Sequence, residues 1–433
     1  MLHLVTSLAL ARSGITQVSL PVGAVTQALP AAVRNPGLAG IVRDEGGCAL
    51  PDIAVVGADP AWLQSTDEAV VPDDLRMPGG NRLWILGETS GTTAEPKQLG
   101  ISHAMELQPN GRRVSDYSHR LGERFLSFTG VRFLSGVRRA MLCLGEGGTL
   151  ALIPAGIGFR DLLPWIDRHG IAYVNCVPVH LHHLLNQVGV TGPRFPAWRV
   201  LRCGAAAISA GMVNDVRTRL SPNLYIQYST TETGPLTTAT PDMLDRAPDT
   251  VGRPVEGVEL MIVDDDGHVL PPGQVGNVGV RLAEGRQSIP FAAEDNSGLS
   301  LVDGWHTLGD RGVLDAAGLL FLRGRADDVM NFDGMLISPY EIEAALCRHP
   351  AVREVAAFAI PSPEHQNVPA VAIVSPQPLS TAELVRYCAE HLGARAPQLF
   401  FQFGGIPRNP RGKVLRRELV RIALQHLKQA KPE

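Results

Sequence analysis

A hydroxyl-rich loop closed by a lysine is the first segment of this chain that could do chemistry. It runs from Thr89 to Lys97, directly after an apolar run at residues 83–87. Its glycine lets backbone N–H groups approach an anion, its hydroxyls can donate hydrogen bonds to phosphate oxygens, and its lysine adds positive charge. The spacing is not that of the Walker loop. Taken alone, the loop fits a polyphosphate site and a solvated Ser/Thr turn equally well.

Two further loops follow apolar runs and add to this chemistry. Three small residues, Gly204 to Ala206, come after one run and leave room for a flat ring on their backbone. Tyr228 ends the next run and offers an aromatic face for stacking. Glu232 follows shortly after it and supplies a carboxylate, the kind of ligand that a hard metal ion prefers. Each loop is commonplace alone, and both move the balance for the first loop toward the polyphosphate site.

Three later segments complete an ordered set of motifs. They are Trp-His-Thr-Leu-Gly-Asp at residues 305–310, Gly-Arg-Ala-Asp-Asp at 324–328, and a lysine-bearing segment at 407–416. Without its neighbours, the lysine of the last segment, Lys413, would be taken for an exposed C-terminal side chain. The order of all the segments along one chain is what makes them specific.

As a set, these motifs resemble the adenylate-forming superfamily of acyl-CoA and aryl-CoA synthetases, adenylation enzymes and luciferases, from about residue 83 to residue 419. The resemblance implies ATP and Mg²⁺ as cofactors and an AMP-forming acid–thiol ligase as the activity. It implies a phosphate loop of Thr89, Ser90, Gly91, Thr92, Thr93 and Lys97, an adenine site of Gly204, Ala205, Ala206 and Tyr228, and a ribose site of Asp310 with Arg325. It also implies three catalytic residues, namely Thr231 at the α-phosphate, Glu232 as the Mg²⁺ ligand, and Lys413.

The implied reaction agrees with elementary electrostatics. When a carboxylate attacks the α-phosphate of ATP, two anions meet and pyrophosphate leaves, so that Mg²⁺ and a lysine are suitable catalysts. A thiol can then attack the acyl adenylate without a covalent enzyme intermediate. CoA and the phosphopantetheine of a carrier protein present the same thiol, so the acceptor stays open.

A homologue that binds nucleotide without turnover is the competing hypothesis. Ala94, Ser229 and Leu308 stand where the family usually has glycine, glycine and Thr or Ser. The 88 residues before Thr89 are fewer than the family normally has, so we expect an abbreviated N-terminal part. None of these departures removes a charged catalytic group.

The segment expected to line the acyl pocket, residues 125–139, indicates the substrate only coarsely. It contains no aspartate for an α-ammonium group, which argues against an amino acid and favours an aryl or short-to-medium acyl carboxylate. A nearby group of histidines, His180, His182 and His183, is better explained as a packed or solvated helix face than as a metal site.

The elements that must position these residues alternate between strand and helix. Apolar runs predict buried strands, and the stretches between them predict crossover helices. In residues 2–19 we expect a helix and a short strand. The predicted strands are 83–87, 149–153, 171–177, 200–203, 224–228, 355–360, 368–374 and 399–403, and the predicted helices are 161–169, 179–187, 338–348 and 380–393.

The predicted fold class is α/β, in two domains. A large N-terminal AMP-binding domain of wound α/β sheets takes residues 1–326 and includes an antiparallel β subdomain at about 250–326. A small mobile α+β domain takes residues 327–433, with its hinge at Asp327. Ser338 with Glu341, and Ser380 with Glu383, have capping-box spacing at the starts of two of its helices.

Composition limits the classes of partner. Lys and Arg number 39 against 43 Asp and Glu, and a net charge of −4 argues against a broad basic face for nucleic acid or an anionic membrane. No segment approaches the roughly 20 apolar residues of a membrane span, and no signal peptide is recognisable. Six scattered cysteines predict reduced, mostly buried thiols and a cytoplasmic location. A small-molecule carboxylic acid is the expected partner, while an acyl carrier protein and a homo-oligomer are both compatible with the sequence.

Overall fold

The computed structural model describes residues 2–12, 15–18, 40–43, 54–57, 82–88, 98–104, 118–131, 133–154, 156–189, 191–230, 233–283, 289–290, 304–362, 364–409 and 412–430. The chain divides into two compact units. The first draws on residues 1–176, 230–234 and 283–295, and the second on residues 177–229, 235–282 and 296–433.

Helices and strands follow one another throughout the described residues. In chain order they are α1 (Leu2–Arg12), β1 (Gln17–Val18), β2 (Gly40–Arg43), β3 (Ala54–Gly57), β4 (Leu83–Glu88), β5 (Gln98–Ser102), β6 (Arg124–Ser127), α2 (Leu134–Gly145), β7 (Thr149–Ala151), α3 (Phe159–Arg168), β8 (Tyr173–Cys176), α4 (Pro178–Leu185), β9 (Val200–Gly204), α5 (Ala210–Arg219), β10 (Leu224–Thr230), β11 (Gly234–Ala239), α6 (Pro241–Arg246), β12 (Arg253–Pro254), β13 (Val258–Val263), β14 (Gly276–Leu282), β15 (Ile289–Pro290), β16 (Trp305–Leu314), β17 (Leu320–Arg325), β18 (Met330–Phe332), β19 (Met335–Ile337), α7 (Pro339–Leu346), β20 (Glu354–Ser362), β21 (Gln366–Val374), α8 (Thr381–Leu392), β22 (Leu399–Gln402) and α9 (Arg416–Ala430).

The first unit contains mostly parallel strand pairs. Strand β6 lies between β7 and β8 and is parallel to both, while β4 pairs parallel with β1 and antiparallel with β5. A core cluster of apolar side chains from α1, β4, β5 and α2 includes Trp84, Ile85 and Ile101. The predicted crossover helices supply the connections that parallel strands require.

The second unit contains an antiparallel sheet of β13, β14, β16 and β17, in that order, which agrees with the predicted β subdomain. The register of β16 and β17 sets Asp310 opposite Arg325. Strands β9 and β10 run parallel, so that both end at the same edge. Tyr228, near the end of β10, packs into a core cluster with Leu236 and Leu320. This packing positions the aromatic ring beside the antiparallel sheet.

The C-terminal part of the second unit is a sheet with helices packed against both faces. Strand β20 alternates strictly, because Val355 and Ala357 lie in one core cluster and Ala356 and Phe358 lie in the other. The first cluster includes side chains of α7 and α8, and the second includes side chains of α9. Helix α9 is therefore held against the sheet by its apolar side chains. This packing also restrains the residues that directly precede the helix.

The α/β fold class is confirmed, and the predicted helices and strands are confirmed with their ends shifted by a few residues. The capping boxes are wrong. Ser338 begins α7 but its hydroxyl donates instead to the Arg323 carbonyl at 3.2 Å, and Ser380 makes no capping bond. In the first case the Glu341 N–H, which the capping bond would use, donates instead to the Ser338 carbonyl oxygen at 3.0 Å. The division at residue 327 and the hinge at Asp327 stay predictions.

Two further expectations concern the thiols and the membrane. Of the cysteines in the described residues, all five are free, four of them buried and Cys347 exposed, while Cys48 lies outside those residues. None of the helices in the described part of the chain has the length and apolar character that a bilayer crossing needs.

Candidate active site

The centre of the candidate site is a carboxylate held by a phenol and a guanidinium. The Tyr228 hydroxyl donates to Asp310 Oδ2 at 2.5 Å, and Arg325 Nη1 donates to Asp310 Oδ1 at 3.3 Å. Arg325 also donates to Asp327 at 3.2 Å. Burial alone would lower the pKa of Arg325, but Asp310, Asp327 and Asp328 together raise it, so this arginine stays charged. Three residues from distant parts of the sequence thus form one polar cluster.

The guanidinium of Arg325 has donor capacity left over. Its Nε–H is buried, and no acceptor within the described residues bonds it. A buried donor without a partner costs free energy that an acceptor would recover. The side chain is therefore suited to bind an oxygen-rich ligand next to Asp310.

Gly309 is required for this arrangement. It has φ +71°, and a Cβ there would lie 2.9 Å from Arg325 Nη2. Glycine provides both the left-handed backbone and the close approach of the guanidinium. The Gly-Asp dipeptide of the sequence motif thus has a geometric explanation.

The predicted adenine loop lies at the end of β9. Gly204 packs so closely on β10 that a Cβ would lie 2.8 Å from the Gln227 carbonyl oxygen. Ala205 has φ +69°, a conformation that costs an L-residue about 1–2 kcal/mol. With Ala206 next in the bend, the loop has small side chains and a backbone that a flat ring can approach. Ala94, which stands where the family usually has glycine, lies outside the described residues.

The predicted catalytic lysine lies on a tight turn just before α9. The Asn409 side chain accepts from the Lys413 N–H at 3.0 Å, and the Asn409 N–H donates to the Lys413 carbonyl at 2.9 Å. Gly412 has φ +79° and its N–H donates to the Asn409 carbonyl at 2.8 Å. These bonds fix the backbone of Lys413, so that its half-buried side chain starts from a rigid base.

The charges around Lys413 connect it with the polar cluster. Burial lowers the pKa of Lys413 and Arg325 lowers it further, whereas Asp328 and Asp310 raise it. The ammonium group therefore lies in the electrostatic field of both Asp310 and Arg325. Gly204 to Ala206, Tyr228, Asp310, Arg325 and Lys413 all belong to the second unit.

The other predicted site residues lie outside the described residues, and their roles stay predictions. They are Thr89, Ser90, Gly91, Thr92, Thr93 and Lys97 of the phosphate loop, with Thr231 and Glu232.

Two departures from the family pattern are harmless in the structure. Ser229 lies inside β10 and is not among the residues with positive φ, so no glycine is required there. Leu308 packs against the core cluster that contains Tyr228, where an apolar side chain is the better choice.

Sequence reasoning missed an ionic cluster next to the lysine turn. Arg416, three residues after Lys413, donates to Glu343 at 2.9 Å and to the Ala357 carbonyl at 3.0 Å, and it lies 3.4 Å from Asp328. Burial raises the pKa of Glu343, although Arg416 lowers it. In the sequence, this cluster is indicated only by the presence of Arg416 in the same motif as Lys413.

Comparison with known proteins identifies the class. The chain belongs to the AMP-binding enzyme family, whose family model matches residues 4–284, while the AMP-binding enzyme C-terminal domain matches residues 341–413. The predicted family, and with it the predicted class of AMP-forming ligase, is confirmed.

Particular relatives share this ancestry at low identity. The chain is 31% identical to the sulfoacetate–CoA ligase of Cupriavidus necator over 83% of its own length and 71% of that protein. It is 29% identical to the fatty acid–[acyl-carrier-protein] ligase ScoC of Streptomyces coeruleorubidus over 76% of its length and 66% of ScoC, so it spans less than two thirds of the latter.

Among solved structures, the O-succinylbenzoate CoA synthetase of Bacillus subtilis matches in two complexes. The complex with its acyl adenylate superposes with a TM-score of 0.77 at 22% identity, over 96% of this chain and 85% of that one. The complex with ATP and magnesium superposes with a TM-score of 0.66 at 26% identity, over 78% and 70%. These matches confirm the fold class.

Proposed function

We propose that the protein uses ATP and Mg²⁺ to activate a carboxylic acid as its acyl adenylate, releasing pyrophosphate, and then transfers the acyl group to a thiol. The observation that carries this proposal is the cluster of Tyr228, Asp310 and Arg325 within the electrostatic reach of Lys413. The family of AMP-binding enzymes supports it.

Each described residue has a definite task in this reaction. Asp310 would accept hydrogen bonds from the ribose hydroxyls, because an ionised carboxylate offers only acceptors. The backbone at Gly204 to Ala206 would support the adenine ring. The free Nε–H of Arg325 would donate to a nucleotide oxygen. These contacts would position the α-phosphate without a covalent bond between the nucleotide and the protein.

Lys413 carries the chemical step among the described residues. Its ammonium group would neutralise the attacking carboxylate and the α-phosphate together, which lowers the repulsion between two anions. Mg²⁺, which we propose is held by Glu232, would stabilise the charge of the leaving pyrophosphate. The thiol would then lose its proton to solvent and attack the acyl carbon, so that a C–S bond forms and AMP leaves with the electrons of the broken C–O bond.

The substrate and the acceptor are proposed by chemistry and by likeness. We propose an aryl or short-to-medium acyl carboxylate as the acid. Both CoA and a carrier-bound phosphopantetheine fit as acceptor, the latter because ScoC is named for a carrier protein. The free cysteines support a cytoplasmic location. The alternative, a homologue that binds ATP without turnover, keeps its motive in Ala94, the departure from the family pattern that lies outside the described residues.

Carboxylate-dependent exchange of labelled pyrophosphate into ATP tests the activity. The panel contains aryl acids, aliphatic acids of two to eight carbons, and sulfoacetate, each with Mg²⁺. We expect the acids that support exchange to belong to one chemical class of the panel. Binding of ATP without exchange for any acid would instead support the alternative. CoA added to the positive reactions forms a free thioester only if no carrier protein is required.

Gly309→Ala tests the nucleotide site itself. The new Cβ would displace the Arg325 guanidinium and force alanine into the left-handed region, and we expect ATP affinity to fall about tenfold. Isothermal titration calorimetry measures this. Gly318→Ala is the matched control, because Gly318 has a similar φ of +75° with no atom within 4 Å of its Cβ position. If Gly309→Ala and Gly318→Ala lower the affinity for ATP equally, backbone strain alone explains the loss, and displacement of Arg325 has no part in it.

A further inference from the structure

Helix α4 contacts the C-terminal part of the second unit at two places. His182 Nε2 lies 2.8 Å from Arg353 Nη2. Closer to the start of the helix, Val179 and Val177 pack on the lysine turn, and their side-chain carbons lie 3.4 Å and 3.8 Å from the position of a Cβ on Gly412. Gly412 is buried although it lies on a turn. The helix thus covers the residue that directly precedes the lysine.

The two contacts are linked to each other through one arginine. Arg408 donates to the Gly412 carbonyl at 3.0 Å and to Glu354 at 3.3 Å. Glu354 directly follows Arg353 in the chain. A continuous set of polar contacts therefore runs from His182 through residues 353–354 and Arg408 to the backbone next to Lys413.

We propose that helix α4 holds the lysine turn in the position needed for adenylation, and that His182 is a positioning residue for this half-reaction. The inference rests on the proposed function for its catalytic consequence, while the docking of the turn on the helix stands on the contacts alone.

The hydrogen bond sets the charge state that His182 must have. A guanidinium has only donors, so Nε2 of His182 has to carry a lone pair and the imidazole has to be neutral. Protonation would bring a second cation against Arg353. The neighbouring charges are Arg408 and His183, which add to the repulsion, and Glu354, which opposes it.

The direction of the pH effect follows from these surroundings. Burial and then Arg353 lower the pKa of His182 from its ordinary 6.5. The contact is therefore complete above the ordinary pKa and is lost as pH falls through the lowered value. His180, two residues closer to the helix start, does not share this role, because its Nδ1 accepts from the Val177 N–H at 3.2 Å and its pKa is lowered to about 4.

The contact would belong to one state of the enzyme only. A rotation of residues 327–433 about Asp327, as predicted from the sequence, would carry Arg353 and Gly412 away from α4. The loss of the contact should then slow adenylation and leave transfer to the thiol untouched. A merely structural histidine would affect both half-reactions alike.

Four variants separate these possibilities. His182→Lys places a permanent cation against Arg353, and His182→Gln keeps a neutral acceptor that cannot titrate. His183→Lys adds the same charge at the adjacent exposed position and is the matched control. The double variant His182→Lys/Arg353→Glu restores an attractive pair, which a misfolded protein would not benefit from.

The first measurement is independent of any activity. Trypsin at about pH 7.5, a condition under which histidine is neutral, cleaves after Arg408 or Lys413 when the turn leaves the helix, and mass spectrometry reads the sites. We expect His182→Lys to be cleaved there about tenfold faster than the wild type. The control and the double variant should match the wild type. Equal cleavage in His182→Lys and the wild type overturns the docking.

The second measurement uses pyrophosphate exchange with an acid from the panel, beside thioester formation from preformed acyl adenylate. We expect His182→Lys to slow exchange about tenfold and to leave thioester formation within about twofold. His182→Gln should keep exchange and lose the decline that the wild type shows below about pH 6.5. Equal losses in both half-reactions overturn the positioning role. If the wild type exchanges with no acid, the proposed function fails, and the proteolysis still decides whether the turn docks on α4.

Discussion

Lys413→Ala should lower the rate of pyrophosphate exchange by about 10²–10³-fold, the usual cost of removing one charged group from a developing oxyanion. The turn that carries the lysine is fixed by backbone bonds to Asn409, which the substitution leaves in place. We therefore expect ATP affinity to stay within about threefold, because the ribose site at Asp310 and Arg325 is unchanged. The loss then lies in the chemical step rather than in binding.

The pH dependence adds a second signature of the same residue. The charged form of a lysine exists below its pKa, and burial lowers the pKa of Lys413 from the ordinary 10.5. The rate of pyrophosphate exchange should therefore fall as the solution is made alkaline, and the fall should begin below pH 10.5. Lys413→Arg keeps the positive charge at all pH values used. We expect this variant to exchange pyrophosphate more slowly than the wild type, but without the fall in rate at alkaline pH.

Lys428→Ala is the matched control, because Lys428 is an exposed lysine on α9. Exchange, calorimetry of ATP binding and thermal unfolding are measured for all three variants. If Lys413→Ala exchanges at the wild-type rate, the assignment of the catalytic lysine is wrong.

The residues that lie on recognisable motifs could be predicted from the sequence. The resemblance to the adenylate-forming superfamily implies Asp310, Arg325 and Lys413 as site residues, and the apolar runs predict the strands that carry Gly204 and Tyr228. The pairing of Asp310 with Arg325 depends only on the register of one hairpin, and a hairpin is a local structure. Local patterns thus sufficed for this part of the site.

Contacts between distant segments could not be predicted. His182 and Arg353 are 171 positions apart, and Arg416 and Glu343 are 73 apart. The periodicity of a segment indicates which of its faces is apolar. It does not indicate which distant segment that face will contact. Ser338 shows the same limit on a smaller scale, because its hydroxyl donates to the Arg323 carbonyl, 15 positions away, and makes no capping bond.

Glu343→Ala should lower the free energy of unfolding by about 2 kcal/mol, since it removes a charged acceptor from a partly buried ion pair and leaves Asp328 as the remaining carboxylate beside Arg416. Glu343 Oε1 accepts from Arg416 and from the Ala357 N–H, both at 2.9 Å. Alanine leaves that N–H and one arm of the guanidinium without an acceptor. Because Arg416 begins α9, the loss should also loosen the chain that leads to Lys413.

Glu343→Gln separates the charge from the hydrogen bonds. Its amide oxygen can still accept from both donors, and we expect it to lie within about 1 kcal/mol of the wild type. Burial raises the pKa of Glu343, so the folded state holds this proton more tightly than the unfolded state. The stability of the wild type relative to Glu343→Gln should therefore be greatest below the ordinary pKa of 4.5 and should fall as pH rises through the raised value.

Glu341→Ala is the control on the same helix, because Glu341 forms an exposed ion pair with Arg395 at 3.0 Å. Such surface pairs contribute about 0–1 kcal/mol. Denaturant unfolding at neutral pH measures all three variants. A loss in Glu343→Ala no larger than that in Glu341→Ala would mean that Asp328 alone balances Arg416. Glu343 would then have no part in fixing the start of α9, and the rigidity of the lysine turn would have to come from Asn409 and the packing of Gly412 on helix α4.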